Sequence, residues 1–199
     1  MRILLHTCCA PCLIFPAKKM KEQGWEILPY FFNPNIHPSQ EYLRRKDALN
    51  RYSKLTGLEV HFSEEYPMED FLRSVSMDPE NRCFSCYRIR LAEAARKCRE
   101  AGLEVFSTTL LVSPYQKHEL IRRVGEETAL EHGLRFHYED FRDGFRWAQA
   151  QARILELYRQ PYCGCIYSEK ERYFKQGRPG GSSLLNFSGR KISVERGIQ

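Results

Sequence analysis

The chain alternates short apolar runs with longer amphipathic segments. The apolar runs are rich in branched side chains, which is typical of buried strands, and they predict strands over 2–7, 26–32, 58–62, 104–111 and 135–138. Between them, apolar positions recur every three to four residues and predict helices over 10–23, 39–56, 68–75, 86–101, 116–132 and 147–159. This alternation predicts an α/β fold with a parallel, doubly wound sheet of about five strands and helices on both faces.

The turn after the first strand is the predicted ligand site. In doubly wound sheets, ligands bind beyond the carboxyl ends of the strands, and residues 6–12, HTCCAPC, lie at such an end. A phosphate-binding turn needs glycines so that backbone amides can approach the phosphate, and this turn has none. The sequence therefore favours metal or redox chemistry over nucleotide binding.

Seven of the eight cysteines form three clusters, at Cys8-Cys9-x-x-Cys12, Cys83-x-x-Cys86 and Cys163-x-Cys165. Adjacent thiols form a disulfide only with strain, but they can direct two thiolates at one centre or at neighbouring centres. Seven thiols exceed the four ligands of a structural zinc, so we expect the clusters to share an iron–sulfur site. Cys98 stands alone and is predicted to be a packing residue.

Length and composition indicate one α/β metal-binding domain over 1–174 and a basic, Gly/Ser-rich tail over 175–199. The N-terminal segment does not resemble a signal peptide, and no apolar run is long enough for a membrane helix. We therefore expect a cytoplasmic protein with reduced thiols. The net charge of +6 is compatible with an anionic partner such as RNA.

Several other side chains are candidates for the site. Asp140 follows the fifth predicted strand, where a carboxylate could ligate a metal, supply a proton or simply pair with Arg142. His37 lies in a rigid turn and is a candidate for substrate contact. Aromatic and basic residues are interleaved as in RNA-binding surfaces, although a solvated helix face would look the same. The candidates of this kind are Tyr42, Arg45, Arg88 and Tyr115.

Six motifs together resemble the epoxyqueuosine reductase family of the cobalamin-independent type, QueH. They are LLHTCCAPC at 4–12, FFNPNIHPSQEYLRR at 31–45, RCFSCYRIRL at 82–91, FSTTLLVSPYQKHE at 106–119, DFR at 140–142 and YCGCIYS at 162–168. The resemblance implies an adenine nucleotide α-hydrolase-like (HUP) fold without its ATP signature. It also implies reduction of epoxyqueuosine to queuosine at the wobble position of tRNAs with GUN anticodons, those for Tyr, His, Asn and Asp.

The same resemblance implies a [4Fe–4S] cluster with an additional mononuclear iron beside it, and an external electron donor. The metal-ligand candidates are Cys8, Cys9, Cys83, Cys86, Cys163, Cys165 and Asp140. Of these, Cys9 and Asp140 are expected at the reacting centre. Cys12 falls a turn into the predicted helix and is left out of the set. The cluster would relay electrons while the iron acts as a Lewis acid on the epoxide oxygen.

Three other classes compete with this interpretation. An ATP-dependent tRNA-modifying enzyme on the same fold needs a Gly/Ser-rich loop that HTCCAPC lacks. A zinc-bound RNA-binding module without enzymatic activity would be colourless. A thiol–disulfide oxidoreductase using Cys9 and Cys12 would act without iron.

Overall fold

The computed structural model describes residues 1–174 and consists of a five-stranded parallel sheet surrounded by helices. The strands are β1 (Arg2–His6), β2 (Glu26–Phe31), β3 (His61–Phe62), β4 (Val105–Thr108) and β5 (Arg135–Phe136). The helices are α1 (Ala10–Glu22), α2 (Ser39–Thr56), α3 (Met68–Ser76), α4 (Arg82–Glu100), α5 (His118–His132), α6 (Phe145–Ile154) and α7 (Ile166–Tyr173). The predicted α/β class is confirmed. The predicted tail at 175–199 lies outside the described residues.

Strand β1 is the centre of the sheet. It pairs with β2 at Leu4 and Leu28 and with β4 at Leu4 and Phe106. A parallel strand with neighbours on both sides and helices above and below is shielded from water over most of its length, which explains its continuous apolar run. Ile3, Leu4 and Leu5 are fully buried.

The strand order β3-β2-β1-β4-β5 reverses direction at β1 and β4. This is the topological switch point, where the carboxyl ends of two strands diverge and leave a crevice. Cys8 follows β1 there, and Thr109 follows β4 in a 3-10 turn over Thr109–Val112. The Cys8 backbone amide donates to Thr109 Oγ1 at 3.1 Å, which joins the two strand ends.

Helix α4 begins four residues earlier than predicted. The backbone amides of Phe84 and Ser85 donate to the Asn81 carbonyl at 2.8 and 3.4 Å, which starts the helix at Arg82. The cysteines of the second cluster therefore lie on the helix itself, not ahead of it.

Helix α6 ends at Ile154, five residues before the predicted end. Glu156 adopts a left-handed conformation with φ of 51°, and the Leu157 amide donates to the Ala152 carbonyl at 2.9 Å. Such a terminus is usually formed by glycine, so no residue pattern predicts it here. An irregular segment then leads to α7, which the periodicity did not predict. Among the described helices, none is both long and apolar enough to cross a membrane.

Candidate metal centre

The first cysteine group lies at the switch point. The Sγ atoms of Cys8, Cys9 and Cys12 all lie within 4.8 Å of one another, and all three residues are buried. Cys9 is the N-cap of α1 and Cys12 lies in its first turn, so the helix start directs three sulfurs to one point. The exclusion of Cys12 from the candidate set is at odds with this geometry. Side chains one helical turn apart lie on the same face, so Cys12 faces the same side as Cys8 and Cys9.

Two polar side chains from other segments support this group. Thr109 Oγ1 donates to Cys8 Sγ at 3.5 Å. Gln160 Nε2 donates to Cys9 Sγ at 2.8 Å and lies 3.7 Å from Cys12 Sγ. Hydrogen bonds to sulfur stabilise the thiolate form that metals require.

The three thiols are linked by hydrogen bonds between their sulfurs, which shift their pKa values in opposite directions. Hydrogen bonds from Cys12 and then Cys9 hold the pKa of Cys8 well below its usual range. The pKa of Cys12 is raised, mainly because it donates to Cys8, and burial raises the pKa of Cys9. A cation would replace the shared protons and allow all three sulfurs to ionise.

The second group combines four cysteines around one cavity. Cys83 and Cys86 reach it from the first turns of α4, and Cys163 and Cys165 reach it from the loop before α7. The Sγ atoms of Cys163 and Cys165 lie 3.8 Å apart. The hydrogen bond between the Cys163 and Cys165 sulfurs lowers the pKa of Cys163 to about 5, whereas burial raises the pKa of Cys86 to about 11.

The loop of residues 162–165 is held by Arg45. This side chain is only 1% exposed, and its Nη1 and Nη2 atoms donate to the carbonyls of Cys163 and Tyr162 at 2.9 and 3.1 Å. Its Nε donates to Glu41 Oε1 at 2.7 Å, which neutralises its charge. Arg45 thereby fixes the backbone that carries two cysteines.

Gly164 allows the same loop to pass close to its neighbours. Its φ is +128°, and a Cβ there would lie 3.0 Å from Ile36 Cγ1 and 3.2 Å from Arg45 Nη1. The Gly164 carbonyl accepts from the His37 backbone amide at 2.8 Å. A side chain at this position would force the loop away from the cavity.

Arg90 lies between the two cysteine groups and has no carboxylate partner among residues 1–174. Its side chain is buried, with Nη2 donating to Asn33 Oδ1 at 2.7 Å and Nη1 lying 3.8 Å from Cys86 Sγ. Its Nε has no partner in this part of the chain. Arg90 also lowers the pKa of Cys8, after the hydrogen bonds that the thiol receives. A buried guanidinium without an anion is costly, so the site is built to receive negative charge.

These observations fit a thiolate-bound metal group. Thiolates select zinc, copper(I) and iron–sulfur centres, and four cysteines are the usual ligand set of an iron–sulfur cluster. The four-cysteine cavity supplies such a set, and Arg90 supplies the compensating charge for it. The three-cysteine group supplies further sulfur ligands for a single ion.

Asp140 lies on the exposed loop between β5 and a second 3-10 turn, Arg142–Gly144. Its carboxylate accepts from the Arg142 backbone amide at 3.0 Å and from Arg142 Nε at 2.9 Å. This pairing with Arg142 lowers the pKa of Asp140 to about 2. The salt bridge is therefore present, and a role for Asp140 as a metal ligand stays a prediction that requires Arg142 to release it.

The predicted substrate-contact residues lie in different surroundings. Tyr42 is buried against Phe31 and Tyr66, with ring centroids 5.3 and 4.2 Å away. Arg88 pairs with Glu131 on α5, whereas Tyr115 is 82% exposed.

Two of the five candidates for substrate contact, Arg45 and His37, are buried next to the loop that carries Cys163 and Cys165. Neither nitrogen of the His37 ring has a partner among residues 1–174, and burial lowers its pKa. Burial of Tyr42, Arg45 and His37 leaves these side chains little surface for a direct contact with RNA.

Sequence reasoning missed Thr109, Arg90 and Gln160. Thr109 follows β4 at the switch point, so its place in the topology was a usable signal. Arg90 lies one helical turn after Cys86, which puts both on one face of α4. Gln160 lies in an irregular segment, where no periodicity marks it.

The fold and this site define a parallel α/β protein with a cysteine-rich candidate metal centre at its switch point. A model of the family described as "Epoxyqueuosine reductase QueH" matches residues 3–171. The chain belongs to this family, which confirms the resemblance seen in the motifs. It is accordingly an oxidoreductase of queuosine biosynthesis.

Similar proteins carry the same name. Epoxyqueuosine reductase QueH of Dehalococcoides mccartyi is 39% identical over 89% of this chain and 98% of its own length. The protein of that name from Helicobacter pylori is 36% identical over 88% and 51%, and that from Thermotoga maritima 31% identical over 85% and 91%. Among solved structures, the glycosyltransferase SnogD from Streptomyces nogalater aligns with a TM-score of 0.37 at 14% identity, over 67% of this chain and 42% of its own. That likeness is too low to support a statement about function.

Proposed function

We propose that this chain converts epoxyqueuosine to queuosine at the wobble position of tRNA, using an iron–sulfur centre held by its cysteine groups. The family supports the reaction, since it is named for it. The observation that carries the proposal in the structure is the placement of two cysteine groups beside one buried guanidinium, Arg90, which has no carboxylate partner among residues 1–174. The two groups together offer seven thiolates, whereas an RNA-binding zinc module needs only four.

The reaction consumes two electrons and two protons. Both carbon–oxygen bonds of the epoxide break, the oxygen leaves as water, and a carbon–carbon double bond forms. The electrons come from an external donor, and the substrates are the tRNAs with GUN anticodons, for Tyr, His, Asn and Asp. Such an enzyme works in the cytoplasm, where its thiols stay reduced.

The four-cysteine cavity is the proposed site of a [4Fe–4S] cluster. Cys83, Cys86, Cys163 and Cys165 would supply its four thiolates. Cys8, Cys9 and Cys12 would hold the adjacent iron, with Asp140 as the proposed oxygen ligand. When bound, this pair of centres supplies electrons and a Lewis acid.

The protein residues have separate tasks at this site. Arg45 fixes the loop that carries Cys163 and Cys165, and Arg90 balances the charge that the thiolates bring. Gln160 and Thr109 donate to sulfur and orient the first group. The buried strand ends around Cys8 and Cys9 keep water from competing for the sulfurs.

Anaerobic purification followed by metal analysis, visible absorption and turnover of epoxyqueuosine-containing tRNA tests the proposal. We expect a coloured, iron-containing protein that forms queuosine when a reductant is supplied. Cys83→Ser and Cys163→Ser should lose iron, whereas Cys98→Ser should keep it. Cys98 is the matched control because it is fully buried in the core and donates to the carbonyls of Leu103 and Val105. A colourless, zinc-loaded protein without turnover would refute the proposed function.

A further inference from the structure

A second cavity lies beside the four-cysteine cavity, and Cys83 lines both. It has a volume of about 280 Å³ and opens to solvent. The proposed chemistry uses none of the other side chains that line it. The two cavities therefore lie side by side at Cys83.

The second cavity has an apolar side. Phe84 and Leu120 line it and are half-buried, so the Phe84 ring keeps an accessible surface. The Arg123 guanidinium lies 5.9 Å from the centroid of that ring. An aromatic ring beside a guanidinium is the arrangement on which proteins stack single-stranded bases.

The opposite side of the cavity is cationic. Lys117 and Arg123 line it, and the exposed Lys117 has no ion-pair partner among residues 1–174. Within the described residues, Arg123 makes only a long ion pair, with its Nε 3.9 Å from Glu127 Oε1. Both cations are therefore available to an anion from outside.

One carboxylate also lines the cavity, but its oxygens already accept hydrogen bonds from a neighbouring residue. Asp78 accepts from the backbone amide of Asn81 at 3.2 Å and from the Asn81 side-chain amide at 2.8 Å. These bonds tie it to the residue before α4, and the first turn of that helix has no acidic residue. The positive end of the α4 dipole adds to the charge of the two cations.

We propose that this cavity binds a nucleotide that flanks the modified nucleoside in the anticodon loop, with its base on Phe84 and its phosphate between Lys117 and Arg123. This inference rests on the proposed function, because it takes the substrate to be tRNA. Chain continuity requires a neighbouring nucleotide close to the one being reduced. The cavity offers that neighbour a stacking surface and a phosphate site beside Cys83.

An acidic electron-donor protein would also be attracted to these cations. The concave shape of the cavity and its aromatic side favour a nucleotide, since a protein partner needs a broad complementary surface instead. The experiment must therefore separate the two partners. A chemical reductant such as dithionite does so, because it removes the donor protein from the assay.

The test uses the iron-loaded enzyme, dithionite and an anticodon stem-loop that carries epoxyqueuosine. For the double variant Lys117→Ala with Arg123→Ala we expect a KM raised on the order of tenfold with kcat nearly unchanged. In a plot of the logarithm of the binding constant against the logarithm of the salt concentration, we expect a slope that is shallower by about 0.7 per lost phosphate contact. Phe84→Leu should weaken binding about tenfold through lost stacking while the salt slope stays the same. Lys54→Ala, an exposed lysine of α2 outside the cavity, is the matched control.

Unchanged KM and salt slope in the Lys117 and Arg123 variant would overturn the proposal. So would a defect that appears only with a protein electron donor and vanishes with dithionite, which would assign the cavity to that donor. A wild-type enzyme that binds the stem-loop through this cavity but never reduces it would refute the proposed function and leave the nucleotide site standing.

Discussion

Arg45 and Cys163 are joined through the backbone: Nη1 of the arginine donates to the Cys163 carbonyl at 2.9 Å. The same guanidinium reaches the Tyr162 carbonyl and the Glu41 carboxylate. Three acceptors around one guanidinium match its fixed fork of donors, which an ammonium group does not reproduce. The position of the cysteine loop therefore depends on a residue that bonds no sulfur.

Arg45→Lys should loosen this loop. A lysine keeps the charge beside Glu41 but leaves at least one buried carbonyl without a donor, and we expect a loss of about 2 kcal/mol in the free energy of unfolding. Arg45→Met, which leaves Glu41 buried and unpaired, should lose about 3–5 kcal/mol. Denaturant unfolding and iron analysis measure both effects. Wild-type stability and iron content in Arg45→Met would show that the loop does not depend on this side chain.

Gly164→Ala should lower iron content by crowding. The added Cβ would meet Ile36 and Arg45 at 3.0 and 3.2 Å in a backbone conformation that disfavours side chains. Gly24→Ala is the matched control, because Gly24 also has a positive φ, +83°, but a Cβ there would have no neighbour within 4 Å among the described residues. We expect both variants to lose about 1–3 kcal/mol of stability. Only Gly164→Ala should lose iron, and equal iron loss in the two variants would contradict the crowding argument.

Cys12→Ser should weaken metal binding at the first cysteine group. Its sulfur lies within 4.8 Å of those of Cys8 and Cys9, so its loss removes one of three soft ligands. Titration of the metal-free protein with Co²⁺, followed by thiolate charge-transfer absorption, should show an affinity lowered on the order of 10–100-fold. Cys98→Ser should titrate like the wild type. An unchanged Co²⁺ titration in Cys12→Ser would exclude Cys12 from the site.

Arg90→Met should lower the reduction potential of the bound cluster. Removal of a positive charge 3.8 Å from Cys86 Sγ makes the addition of an electron less favourable. We expect a shift on the order of 60 mV, which is about 1.4 kcal/mol for one electron. Arg90→Lys, which keeps the charge, should shift the potential less. A spectroelectrochemical titration measures this, and equal potentials in the wild type and Arg90→Met would show that Arg90 does not act on the cluster.

In the metal-free protein, Cys163 should be the thiol that alkylates first at mildly acidic pH. It is exposed, and its pKa of about 5 means that the reactive thiolate forms as the pH rises through that value. Iodoacetamide labelling from pH 4 to 8, read by mass spectrometry, measures the midpoint. Cys165→Ala should move the midpoint upward, because it removes the hydrogen bond between the two sulfurs that lowers the pKa of Cys163. A Cys163 midpoint near the ordinary thiol value in the wild type would contradict the prediction.

The central sheet was predictable because a buried strand is marked by its own run of apolar residues. The continuous apolar run of β1 and the turn after it placed Cys8 and Cys9 at the switch point without any knowledge of pairing. The short outer strands were overestimated: β3 was predicted over 58–62 and pairs only at His61–Phe62. At the sheet edge, pairing depends on a single neighbour that the sequence does not reveal.

The division of the cysteines into two groups was not predictable. It depends on where α4 starts and on how α2 holds the loop at 162–165, and tertiary contacts determine both. Arg45 was predicted to contact RNA because aromatic and basic residues are interleaved around it, as in RNA-binding surfaces. The structure buries it, since Glu41 and two carbonyls satisfy its donors. Sequence periodicity identifies a helix face but not the loop that packs against it.

Helix α7 contributes no buried residue of its own, and its N-cap is Cys165, which packs with Phe71 and Val75 in a small separate cluster. The end of the described chain is thus fastened at the same residue that would bind the cluster. If Cys165 binds the cluster, loss of the cluster would remove one of the contacts that hold α7 and leave the Arg82–Glu171 ion pair as another, so limited proteolysis of this helix should become faster but not immediate.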